Sequence, residues 1–490
     1  MDKKIILTIY LVVILLPNTY TTFAQGNFQE YAQQERAAFE NYKQQERKNF
    51  KQYRDSINKE FASFLEKEWK NFDLQKPEPL IKKPIDTPPI YDNTKPKPLP
   101  EEFPNITPLP KPEPKPKPKS EPIPPIPTQQ ATINTSFFGT DIEIIKISVS
   151  IGTLKNVTEK EVAQYWKMLT NTPYTDIINE AERIKTKLKL NDWGLYQLLN
   201  LFFEVYFPQG TANEQVIYNV FMLNQLNYRA KIGRVGNELI PLLAFQQEVY
   251  NNLFFQYGNV KYSALNPYQK SLSGIQSCEI NYTNATRNID LSILESPCFT
   301  KQTETKTLDF ENKNYTLTYN PNTVKFYTDY PCVHFSIYAE AELDAVFQES
   351  IEKQIKPLII GKSQEEAVNI LLHFVQNAFK YKTDYEQFGY EKWFFAEETI
   401  ASSYSDCEDR AILFSQLVRK LLSIPVVLIH YTDVHLATAV KFNNPLTTGD
   451  YFTIDGEKYL ICDPTYINAN LGMSMPNLKN TRVEIIKLNQ

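Results

Sequence analysis

From Lys76 to about Gln129 proline and lysine dominate the chain, as in Leu109-Pro110-Lys111-Pro112-Glu113-Pro114-Lys115-Pro116-Lys117-Pro118. Proline has no backbone N–H and a fixed φ, so such a stretch neither propagates a helix nor fills a sheet, and its composition is too polar to bury a core. Residues 76–129 are therefore expected to form an extended, polyproline-like spacer. Pro-x-x-Pro docking motifs are unavoidable in this composition and carry no separate meaning. The spacer divides the 490-residue chain. Folded structure must lie in residues 25–75 or in residues 130–490, and the second stretch is long enough for two or three cores.

Residues 1–24 combine a basic start (Lys3, Lys4), an apolar run from Ile5 to Leu16 and the small-residue ending Thr22-Phe23-Ala24. This pattern reads as a cleavable secretory signal, and the apolar run is shorter than the ~20 residues a membrane span requires. A secreted or periplasmic protein without a transmembrane span in its mature form is expected. In residues 25–75, Phe28, Phe39, Phe50, Phe61 and Phe72 recur every eleven residues, and Tyr31, Tyr42, Tyr53 and Phe64 follow the first four by three. Eleven residues fit three helical turns, so these aromatics form one stripe on a long helix. Such a stripe must be covered, either by the chain's own globular part or by self-association or a protein partner. Net charge is −5, which gives no footing for nucleic-acid binding.

The remainder reads as α+β. A mixed middle domain, residues 130–338, has helical runs at 158–169, 175–189, 192–206 and 212–226, and short β-like runs from about 235. Helices return at 339–355 and 364–380. The helix start at Thr211-Ala212-Asn213-Glu214 followed by the strand Tyr228–Ile232 faintly repeats an order found again at 407–431, though no cysteine stands at the equivalent place. This is either a degenerate copy of the C-terminal domain or a generic helix-strand pair.

In the last domain, residues 339–490, three residues carry chemistry. Cys407 begins an apolar-periodic helix, 407–422, where free backbone N–H groups and the helix dipole favour a thiolate. His435 opens a strand, and Asp463 closes another after the Asp455-Gly456 hairpin turn. Nucleophile, base and orienting carboxylate are all present. Of the five cysteines, any bridge is expected to leave Cys407 free, and Cys278 with Cys298 is the nearest pair in sequence. No paired-ligand spacing supports a metal built from Cys407, His435, Cys462 and Asp463, and no cofactor is expected.

Asp406-Cys407-Glu408-Asp409-Arg410, then His435, then Cys462-Asp463-Pro464-Thr465 resembles the core of the transglutaminase-like superfamily over residues 340–480. The resemblance implies a papain-like layout, with a helix bearing the cysteine on an antiparallel sheet bearing histidine and aspartate. It also implies Cys407 as nucleophile, His435 as base and later acid, and Asp463 as the residue that holds the imidazole. Attack on an amide of a peptide or protein substrate would give a thioacyl enzyme, resolved by water or by an amine. A peptidase or amidase is preferred over a crosslinking enzyme, because hydrolysis needs only water. The competing reading is a noncatalytic adhesion or scaffold protein that keeps the fold and holds a partner with its helix and spacer. Asp406, Glu408 and Asp409 would raise the thiol pKa unless they turn away or pair with Arg410. Tyr404 and Trp393 are the nearby side chains considered as oxyanion donors.

Overall fold

The computed structural model describes residues 52–81, 83–92, 94, 100–103, 106–108, 131–265 and 273–489, with five single helical positions between 35 and 49. Residues 1–24, read above as a signal, and Phe28, Phe39 and Phe50 of the aromatic repeat lie outside these residues. Two compact units are present, residues 1–60 and residues 61–490. In the first, residues 52–60 are helical, and Tyr42 and Tyr53 are exposed.

The second unit is α+β and contains two six-stranded sheets. It begins with helical residues 61–65, and the aromatic stripe ends there. Phe61 is buried between Trp166 and Tyr282, at ring separations of 5.0 and 5.3 Å, so this part of the stripe is covered by the chain's own middle domain. Phe72 is not on the helix. It lies on the strand Lys70–Asp73, which pairs antiparallel with Gly274–Ser277. The eleven-residue spacing persists past the helix because Phe72 serves a sheet core instead, stacking on Phe255 at 4.5 Å.

From one edge, the first sheet runs Phe254–Tyr257, Val260–Ala264, Glu238–Leu243, Ala230–Val235, Gly274–Ser277 and Lys70–Asp73. The second runs Tyr451–Ile454, Glu457–Cys462, His435–Lys441, Val426–Tyr431, Val483–Lys487 and Ile106–Pro108. The chain visits corresponding positions in the same order. A helix that packs on the two central strands precedes each sheet, Ala212–Gln225 in one and Cys407–Leu422 in the other. The two sheets differ at the sixth strand, which is antiparallel to its neighbour in the first and parallel in the second. This shared topology reaches well beyond the short helix-strand likeness visible in the sequence.

The described residues between 76 and 108 are not a free spacer. Ile81 and Phe103 are buried, Phe103 against Phe452, and Ile106–Pro108 completes the second sheet. Isolated apolar residues among the prolines anchor the segment, and Pro108 is tolerated because it lies on an edge strand. Residues 109–130 lie outside the described residues. The boundary at 338 also shifts. The hairpin Glu304–Phe310 with Lys313–Tyr319 contributes Leu308, Phe310 and Leu317 to the core that holds Leu371, Phe414 and Val440. The helix expected at 339–355 is broken into Phe335–Glu340 and Ala345–Gln354, because Asp344 caps the second by accepting from the Val346 N–H.

One face of the second sheet packs on the helices. The other carries Val427, Ile429, Tyr431, Ala437 and Ile461, covered by Tyr466, Met473, Met475 and Phe103. Replacing Phe103 by alanine is expected to cost about 3 kcal/mol in urea unfolding, the usual range for an aromatic removed from a core. An unchanged midpoint would mean that residues 76–108 are the free spacer that composition alone describes.

Candidate active site

Cys407 is the first residue of its helix. Asp406 is the N-cap, and Asp409 reaches back to accept its N–H at 3.3 Å, while the other Asp409 oxygen accepts the Phe394 N–H at 2.9 Å. Arg410, one residue on, is almost wholly buried. It donates to the carbonyls of Gln376 and Phe379 (3.3 and 2.8 Å) and to the Ser405 hydroxyl, tying the Cys407 helix to the end of the helix Gln364–Ala378. Its hydrogen bonds therefore go to backbone carbonyls and a hydroxyl, with none to the neighbouring carboxylates.

His435 and Asp463 stand at the ends of adjacent strands whose register pairs Thr438 with Cys462. His435 Nε2 meets Asp463 Oδ2 at 2.9 Å. Asp463 is itself fixed: its Oδ1 accepts the Thr465 N–H at 2.9 Å, and its carbonyl accepts from Gln376 Nε2 at 3.0 Å. Gln376 also holds the following loop through Ala469 and Asn468, a role with no signal in the sequence. The other imidazole nitrogen, Nδ1, is buried without a hydrogen-bond partner among the described residues. Cys407, His435 and Asp463 are 0%, 0% and 2% exposed.

The thiol does not hydrogen-bond to the imidazole. Cys407 Sγ donates to Glu408 Oε2 at 2.9 Å. Burial first, then the Glu408 and Asp406 carboxylates, push its pKa well above the usual thiol value, and a hydrogen bond from the Leu436 N–H opposes this only in part. Glu408 is also raised, by burial and then by Asp406 and Glu391. The carboxylates flanking the cysteine thus act as the sequence warns, and the closed site holds the thiol neutral.

Neither side chain considered as an oxyanion donor lies in the site. Tyr404 is exposed with Lys382 over its ring, and Trp393 is packed against Phe335 and Tyr250. Tyr381 borders the site: it pairs in register with Ser405, and the Arg410 guanidinium lies over its ring at 5.3 Å. His430 bridges Glu484 and the Leu80 carbonyl, which is a structural role. All five cysteines are free, Cys278 and Cys298 included.

Oxygens of Asp384, Asp406 and Asp409 lie within 4.8 Å of one another beside the helix start. Asp384 Oδ1 and Asp406 Oδ1 have no hydrogen-bond partner among the described residues, so the group can hold either shared protons or a hard cation. Sequence spacing hid this set, because Asp384 joins the other two only through folding. Comparison with protein-family models, curated proteins and solved structures finds no match for the chain.

Burial also lifts Glu391 and Glu397 to about 7 and Glu398 to about 8. A carboxyl whose folded pKa exceeds its unfolded value stabilises the protein below the unfolded value, and that contribution is lost as pH rises through the folded value. The melting temperature is therefore expected to fall between about pH 6 and pH 9 at constant salt, with Glu398→Gln flattening the fall. Scanning calorimetry checks both expectations, and a rising midpoint over that range would contradict them.

Proposed function

We propose that the chain is a secreted or periplasmic cysteine enzyme of transglutaminase-like type, acting on amide bonds through a thioacyl intermediate, with hydrolysis preferred over crosslinking. One observation carries this reading. A buried His435–Asp463 pair fixes the imidazole through Nε2 and leaves Nδ1 buried with no other group to serve among the described residues. A structural histidine in that position would be expected to satisfy both nitrogens, as His430 does. The helix-on-sheet arrangement, with cysteine at the helix start and its partners on neighbouring strands, supports the papain-like layout that the motif resemblance implies.

The roles follow from the chemistry. Cys407 Sγ attacks the carbonyl, His435 Nδ1 takes the thiol proton and returns it to the leaving amine, and Asp463 stabilises the imidazolium. The Cys407 backbone N–H, at the helix start, is positioned as an oxyanion donor. Productive chemistry requires the thiol to turn from Glu408 to His435. The first sheet offers no second site of this kind: Ala212 takes the place of Cys407, Glu238 that of His435 and Leu265 that of Asp463, so the middle domain is read as a catalytically empty copy. The noncatalytic scaffold reading draws on the raised thiol pKa, and one measurement separates the two.

Alkylation of Cys407 by iodoacetamide is followed between about pH 6 and pH 8 in the intact protein and in His435→Gln. Access to the buried thiol enters both rates alike, so their ratio reports the imidazole. A drop of about tenfold or more in the variant is expected for an imidazole-activated thiol. Equal rates would remove the catalytic reading and favour the scaffold.

A further inference from the structure

We propose that the surface over the candidate triad is a groove for an extended polypeptide, and that the chain's own residues 80–91 occupy it. The inference rests on the catalytic reading above and adds the form of the substrate. The segment touches the surroundings of all three triad residues. The Leu80 carbonyl accepts from His430 Nε2 at 3.1 Å. The Lys83 N–H donates to the Asp433 carbonyl at 2.8 Å, two residues before His435. The Ile85 carbonyl accepts from the hydroxyl of Tyr381, which pairs in register with Ser405, two residues before Cys407. Further on, the Ile467 N–H donates to the Pro89 carbonyl at 3.0 Å and the Tyr91 N–H donates to the Ile467 carbonyl at 2.8 Å, four residues past Asp463. The Tyr91 ring lies edge-on to Tyr466 at 5.7 Å, and Ile85 and Tyr91 pack against the core that contains Ala437 and Tyr466.

The contacts have the character of peptide recognition. Most are made by the strap's backbone, with Ile90 and Ile467 paired as a parallel β-bridge, so any extended chain could make them. Selectivity comes from two apolar side chains, Ile85 and Tyr91. Pro84, Pro88 and Pro89 keep the segment extended before it docks, which lowers the entropy lost on binding. Being tethered, it acts at a high effective concentration, so a substrate must displace it. The closed state fits this occupancy: the triad residues are buried and the thiol is turned to Glu408. The favoured substrate is then an unfolded or extended polypeptide bearing aliphatic and aromatic residues about six apart.

The test places a charge at the anchor, Ile85→Asp, in the full-length protein, with Leu446→Asp, exposed in the loop between His435–Lys441 and Tyr451–Ile454, as control. Iodoacetamide labelling of Cys407 is expected to accelerate about tenfold in Ile85→Asp and not in the control. A synthetic peptide of residues 79–92, added to Ile85→Asp, should restore the slow rate, and a scrambled peptide should not. Labelling of Ile85→Asp at the rate of the unaltered protein overturns the proposal. So does acceleration accompanied by a lowered melting temperature and no protection by the peptide, which would be local unfolding. Combining Ile85→Asp with His435→Gln keeps the two readings apart. Acceleration that no longer depends on His435 leaves the groove standing and removes the catalytic function, whereas retained dependence without strap control does the reverse.

Discussion

Four carboxyl groups, on Asp384, Asp406, Glu408 and Asp409, are buried around the first turn of one helix, and the rest of the C-terminal half is arranged to tolerate them. Charge removed from water is costly unless it is paired, hydrogen-bonded or neutralised by a proton. Backbone N–H groups meet part of this cost. Asp409 accepts those of Phe394 and Asp406, and Asp384 accepts that of Lys392. Arg410 lies in the same region, but its donors bind carbonyls at the end of the preceding helix. The remaining charge is suppressed by raised pKa values, and this sets the state of the thiol. Cys407 sits at a helix N-terminus, which favours thiolate, yet burial and Glu408 outweigh that dipole in the closed form.

The two sheets give this site its context. Both follow the same strand order, both lie beneath a helix that packs on their central pair, and both take a sixth strand from the segment that begins the second unit. Donation of those strands answers a physical need, since an unpaired sheet edge is an open template for association. In the first sheet the places of Cys407, His435 and Asp463 are held by Ala212, Glu238 and Leu265. The two helix starts are capped alike: Glu214 reaches back to the Thr211 N–H as Asp409 does to the Asp406 N–H. Helix initiation is required for folding in either half.

After supplying Lys70–Asp73 to the first sheet, the N-terminal segment crosses the triad region and then supplies Ile106–Pro108 to the second. Sheet hydrogen bonds hold Lys70–Asp73 and Ile106–Pro108 on either side of that crossing.

Local elements were legible in the sequence. Helix 407–422, the strands from 426 to 463, the Asp-Gly hairpin and the position of the triad residues at element ends could all be read, because periodicity, caps and turn residues act over a few neighbours. Cys407, His435 and Asp463 stand out in the sequence as candidates only, together with the nearby acids that oppose a thiolate. Pattern reading misassigned Phe72, since an eleven-residue spacing does not report where a helix stops, and it treated residues 76–108 as free, since composition does not reveal which edge an extended segment will join. Packing alone settled which imidazole nitrogen meets Asp463 and that Glu408 rather than His435 takes the thiol hydrogen. It also brought Asp384 into the acidic group and set Gln376 and Tyr381 at the border of the site. Each of these depends on side chains being brought within hydrogen-bond or Coulomb range by the packed backbone, most of them from distant parts of the chain, and that proximity exists only once the sheets and helices have assembled.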